Sequence, residues 1–129
     1  MKPPVNTQVT EGELASFWFD ENGILYALSK STPRTLEKQK ENYALIRRIT
    51  KNKKVCLLSD TTTASQQDEV TTTYMIKEIP NLFIAMAIIS DSALGRFTVN
   101  HFLTTNHQPI PIKYFTNEKE AKEWLKKYL

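Results

Sequence analysis

Leu82-Phe83-Ile84-Ala85-Met86-Ala87-Ile88-Ile89 is a run of eight apolar residues with no charge and no glycine. Turn signals bound it, Pro80-Asn81 before and Ser90-Asp91-Ser92 after. A run this short in that setting predicts a strand buried on both faces, as in a parallel sheet. Strand alternation would put Leu82, Ile84, Met86 and Ile88 on one side and Phe83, Ala85, Ala87 and Ile89 on the other.

The neighbouring segments fit a sheet built around that strand. Upstream, residues 55–58 form a second apolar run that ends at Ser59-Asp60. Between the two runs, Ser65 and Asp68 have capping-box spacing, which predicts a helix from Ser65 carrying Val70, Tyr74, Met75 and Ile79. Thr71-Thr72-Thr73 is poor helix material, because β-branched side chains lose rotamer freedom there. Further upstream, Thr35 caps a helix through Leu36, Tyr43, Ile46 and Ile49. That helix has Glu37 in its first turn and Arg47 and Arg48 in its last, each sign matching the helix dipole. Before it, Ala15, Phe17 and Phe19 alternate with polar or amphipathic neighbours, and Asp20-Glu21-Asn22-Gly23 leads into residues 24–28, an antiparallel hairpin.

Downstream of the central run, Ser90-Asp91-Ser92 predicts the start of a third helix carrying Leu94, Phe97, His101 and Phe102, with Gly95 allowing close approach to the sheet. Ile110, Ile112 and Tyr114 alternate on a last strand, which Pro111 assigns to an edge because it has no N–H for the ladder. Thr116 or Asn117, the latter at capping-box spacing from Glu120, caps a final helix whose stripe is Ala121, Trp124, Leu125 and Tyr128. The expected fold is therefore α/β, with a mixed five-stranded sheet. An N-terminal antiparallel hairpin is followed by right-handed β-α units, with the helices mainly on one face. Residues 1–12 read as a loose N-terminal arm and residues 13–129 as a single domain. Helices on one face leave the other side of the central strand uncovered, so the pattern predicts a homodimer, or another protein partner, on that sheet face.

Composition removes several functional classes. The chain has 129 residues, 40% hydrophobic and 10% aromatic, with a net charge of +3, which suits a folded domain rather than a disordered one. No apolar run approaches the roughly 20 residues needed to span a bilayer, and residues 1–4 lack a signal-peptide core. A cytoplasmic address is the default. Cys56 is the single cysteine and lies within an apolar run, the setting of a small buried hydrophobe. Arg47, Arg48, Lys51, Lys53 and Lys54 cluster without interleaved aromatics, which argues for a helix terminus and against a nucleic-acid surface. His101, His107 and Cys56 do not have the number or spacing of a zinc site, so no metal and no cofactor is expected. Nor is there a glycine-rich phosphate loop or a nucleophile elbow, and the expectation is a non-enzymatic chain.

The candidate site is a pair of loops. Asp60, Thr61, Thr62, Thr63 and Ser65 follow a parallel strand and precede a helix, where open α/β sheets place ligands and where N–H groups favour an anion. Ser90, Asp91 and Ser92 hold the equivalent position after the next strand, with Arg96 one turn into its helix. Together the two loops would form a polar rim.

The hairpin Phe17-Trp18-Phe19-Asp20-Glu21-Asn22-Gly23-Ile24-Leu25, the strand end Leu58-Ser59-Asp60, the segment from Asp91 to Leu103 with Gly95, Arg96 and Asn100, and the tail from Phe115 through Trp124-Leu125 carry a resemblance. Over residues 14–128 the chain resembles bacterial STAS-like domains, also termed SpoIIAA-like after the anti-sigma-factor antagonists. The resemblance implies a right-handed β-α fold and a regulatory, protein-binding role switched by phosphorylation of a serine at the start of the second helix. Ser65 is the nearest match, although the Asp-Ser-x-Gly pattern around that serine is missing here. The alternative function is a small-ligand or lipid binder, with an apolar pocket between the third helix and the sheet.

Overall fold

A computed structural model describes residues 1–93, 96, 97, 100, 101, 103 and 108–129 of the chain. The strands are β1 (Thr10–Glu11), β2 (Ala15–Phe19), β3 (Leu25–Ser29), β4 (Val55–Asp60), β5 (Phe83–Ile89) and β6 (Ile112–Phe115). They form one sheet in sequential order, six strands rather than the expected five. β1, β2 and β3 pair antiparallel; β3, β4, β5 and β6 pair parallel. The extra strand comes from the stretch expected as a loose arm, where Thr10 and Glu11 pair with Phe17 and Ser16. β6 is the far edge, as Pro111 requires, and the Pro111 carbonyl still accepts the Met86 N–H at 2.9 Å.

The hairpin closes on Asp20. Its Oδ1 accepts the N–H groups of Asn22 at 2.8 Å and Ile24 at 3.0 Å. Gly23 takes φ 81°, the conformation that selects glycine there. Helix α1 (Leu36–Thr50) starts where Thr35 Oγ1 accepts the Lys38 N–H and ends with Lys51 and Asn52 in the left-handed region. Helix α2 (Glu69–Leu82) starts later than expected. Asp68, not Ser65, is its cap, with Oδ1 accepting the Thr71 N–H at 2.8 Å. A carboxylate one residue outside the helix reaches the third N–H directly, and Ser65 is left in the loop. Pro80 lies in the last turn and does not break the helix, so Leu82 ends α2 and β5 starts at Phe83.

β5 carries a bulge. Val55 pairs with Phe83 and Leu57 with Met86, so three steps on β5 oppose two on β4. The extra residue turns Phe83 to the Met86 side and leaves Ile84 39% exposed, which overturns the simple alternation expected for this run. Phe83 and Met86 join Phe17, Leu25, Ala27 and Leu57 beneath Tyr43 and Ile46 of α1 and Ile79 of α2.

The opposite sheet face is covered by the chain itself. Helix α3 (Glu118–Leu125), capped by Asn117, lays Ala121 and Leu125 on Cys56, Leu58, Ala85, Ala87 and Ile89. Right-handed crossovers place α1 and α2 on one face, because each joins two parallel strands. α3 follows the last strand, joins nothing, and is free to cross to the other side. Alanines on both surfaces let it approach closely. Lys122 pins it to the hairpin, at 2.6 Å from Glu21 and 3.5 Å from Asp20. The expectation of a homodimer or partner on an uncovered sheet face thus loses its premise.

Of the third expected helix, residues 93, 96, 97, 100, 101 and 103 are helical. Phe97 is 68% exposed and His101 is exposed, stacked at 6.1 Å, so this pair does not face the core as its spacing suggested. Leu94, Gly95, Phe102 and His107 lie outside the described residues. No helix among the described residues is long and apolar enough to cross a membrane.

Candidate functional site

The two loops singled out from the sequence do meet at the carboxyl ends of β4 and β5. The Thr61 N–H and Oγ1 both donate to the Ile89 carbonyl, at 2.8 and 3.1 Å. Thr62 Oγ1 accepts the Asp91 N–H at 3.0 Å. Asp60 is buried at the strand end; its Oδ1 accepts the Thr62 N–H at 3.0 Å, and its Oδ2 lies 3.9 Å from the Met1 amino group. Thr63 donates to the Ser29 carbonyl and Ser65 to the Ser31 carbonyl. Each hydroxyl of this loop is therefore engaged in holding it against β3 or β5. Ser90 is buried, its hydroxyl 3.4 Å from that of Ser92, while its carbonyl accepts the Tyr114 hydroxyl at 2.8 Å. Asp91, Ser92 and Arg96 are exposed. The Arg96 N–H donates to the Ser92 carbonyl, but no hydrogen bond or ion pair among the described residues ties its side chain to the Asp60 loop.

Beneath this rim lies a chamber of about 550 Å³, partly open to solvent, between the sheet and helices α1 and α2. Its volume is within the roughly 300–1,000 Å³ of small-molecule sites. Phe17, Ala27, Leu57 and Met86 of the sheet form its floor, and Tyr43, Ile46, Met75 and Ile79 its roof. Thr61, Thr62, Ser65 and Ser92 of the two loops line its polar end, with Ser29, Ser59 and Arg34. The chamber exists because the floor carries small side chains, Ala27, Ser29 and Ser59, opposite long helices propped on Phe17 and Phe83.

Three polar atoms of residues that line this space, Arg34 Nε, Gln39 Oε1 and Asn42 Oδ1, have no protein partner and are closed off from the chamber as well as from bulk solvent. Each unmet group costs about 1–3 kcal/mol. The partners they do have fix their orientation. Arg34 Nη2 donates to Ser29 Oγ at 3.1 Å, and Gln39 Nε2 donates to Gln67 Oε1 at 3.0 Å. Burial pulls the Arg34 guanidinium below its ordinary range and pushes the Tyr43 phenol well above its own. Among the described lining residues Arg34 is the sole charge, and there is no carboxylate, histidine, cysteine or lysine. The described residues hold no cluster of three metal-ligating side chains.

Sequence reasoning missed Arg34, Gln39, Asn42 and Tyr43. One signal was present. The inward stripe of α1 is Gln39, Tyr43, Ile46 and Thr50, and a buried glutamine on an amphipathic face marks a polar need inside the fold. The chamber lies under α1 and α2; the pocket expected against the third helix falls partly on Phe102, outside the described residues.

Comparison with known proteins agrees with this architecture. No curated protein matches the sequence. An uncharacterized protein of the DUF3478 family from Shewanella loihica PV-4, with a SpoIIAA-like fold, superposes with a TM-score of 0.64 at 15% identity. The match covers 97% of this chain and 98% of that one. That likeness establishes the SpoIIAA-like fold. Residues 17–129 match the family model of a domain of unknown function, and the chain belongs to that family, DUF7793.

Proposed function

We propose that this domain is a non-enzymatic binding module that takes a small, largely apolar ligand into the chamber beneath α1 and α2. The observation that carries the reading is a space of about 550 Å³ walled mainly by apolar side chains, with Arg34 as the sole charge among its described lining residues. The described lining has no acid–base pair, which supports binding over catalysis. A regulatory role follows from the placement of the loops. The rim formed by residues 60–65 and 90–92 closes the polar end, so occupancy would alter the surface that a protein partner meets. The Thr62–Asp91 bond, which joins the two loops into one surface, favours that rim as the contact. Phosphorylation of Ser65 has less geometry behind it. Its hydroxyl is bonded to Ser31, and it lies three residues before the α2 cap, away from the helix N-terminus that would stabilise a phosphate.

The test is a titration with N-phenyl-1-naphthylamine, a neutral dye that brightens in apolar surroundings. The expected result is saturable one-to-one binding that is lost in Ala27→Phe and Ser59→Leu, two independent substitutions that fill the floor. Absence of saturable binding, or binding unchanged in both folded variants, would refute the reading.

A further inference from the structure

We infer that the ligand of this chamber is an organic monocarboxylate with an apolar body, its carboxylate held by Arg34; the inference rests on the binding reading above and narrows its chemistry. Arg34 is a guanidinium turned into a largely apolar space. Its one side-chain hydrogen bond is to a neutral hydroxyl, Ser29, and its Nε–H, closed off from the chamber, has no acceptor within the protein, so any anion would meet the terminal nitrogens. No carboxylate of the described residues forms an ion pair with it. Arg34 is partly buried, and a cation drawn that far out of water is ordinarily paired, because an unpaired charge in a largely apolar setting is disfavoured.

A planar carboxylate matches the guanidinium fork, which a point-like ion does not. The charge count selects a monoanion. Arg34 is the sole cation among the described lining residues, and a phosphate monoester would bring about −1.5 to −2 charges, leaving an excess in the chamber. The remaining lining assigns the rest of the molecule. Phe17, Ile46, Leu57, Ile79 and Met86 receive an apolar body.

The experiment compares octanoate with 1-octanol, probes of equal chain length that differ in charge, by following the methyl resonances of Met75, Met86, Ile46 and Ile79 at pH 7.5. Octanoate should bind at least ten-fold more tightly than 1-octanol. Arg34→Gln should abolish that preference while leaving alcohol binding unchanged, and Arg34→Lys should retain part of it. Equal affinity for acid and alcohol, or a preference that survives Arg34→Gln, overturns the anion inference while the chamber still binds. Failure of both probes also overturns it, and the neutral-dye titration then shows separately whether the chamber reading stands.

Discussion

Replacing Gln39 by leucine should make the domain more stable while weakening what the chamber binds. Gln39 is 2% exposed on the inward face of α1. The substitution removes one hydrogen bond, from Nε2 to Gln67 Oε1, a net loss of about 1 kcal/mol. It also removes Oε1, a buried acceptor without a partner, which relieves about 1–3 kcal/mol. Leucine is of similar size and adds apolar burial against Tyr43 and Ile46. The balance is a gain of about 1 kcal/mol. For 129 residues the unfolding entropy is about 0.27 kcal/mol per degree, so Tm should rise by about 4 °C. Urea unfolding followed by circular dichroism reads the change as a higher midpoint at constant slope. Loss of stability by 1 kcal/mol or more would mean that Gln39 is a satisfied structural residue.

Other perturbations address the fold and its ionisation. Leu125→Ala, at a fully buried position in the cover of the second sheet face, should cost about 3 kcal/mol in urea unfolding; a cost below 1 kcal/mol would mean that α3 does not pack there. Asn117→Ala removes the oxygen that accepts the Glu120 N–H at 2.9 Å and should cost about 1 kcal/mol, against no change if the cap is unimportant. Burial raises the Tyr26 phenol to about 12, so the folded state keeps a proton that the unfolded state loses from about pH 10. Its contribution is complete below pH 10 and is lost as pH rises toward 12. Alkaline unfolding of wild type against Tyr26→Phe, with phenolate absorbance as the second readout, should show a steeper fall in the wild type, the fall that remains in the variant coming from Tyr43, whose phenol burial also raises.

β2, β3, β4, β5 and the edge position of β6 were legible because period-two alternation, short apolar runs and Pro111 act locally, whereas the two residues of β1 are too few and too polar to show a pattern. The bulge was not, since the run 82–89 is apolar throughout and offers no polar residue to mark where register slips. Handedness governs α1 and α2 because they connect parallel strands, but nothing local dictates where a terminal helix lands. The stripe Ala121-Trp124-Leu125-Tyr128 showed that α3 must pack, not on which face. The rim loops were legible from their place after parallel strands. The chamber was not, because it arises from small floor residues, Ala27, Ser29 and Ser59, meeting α1 residues brought close only by folding. Arg34 sits in a polar loop and looks like any solvated arginine until its surroundings are known.

A crystal structure of the protein grown with N-phenyl-1-naphthylamine addresses the main claim without intermediaries. The expected result is dye density between Ala27 and Met86 below and Tyr43 and Ile79 above, with α1 and α2 where they stand here. A collapsed space, with those helices seated directly on the sheet and the dye absent or bound elsewhere, would contradict it.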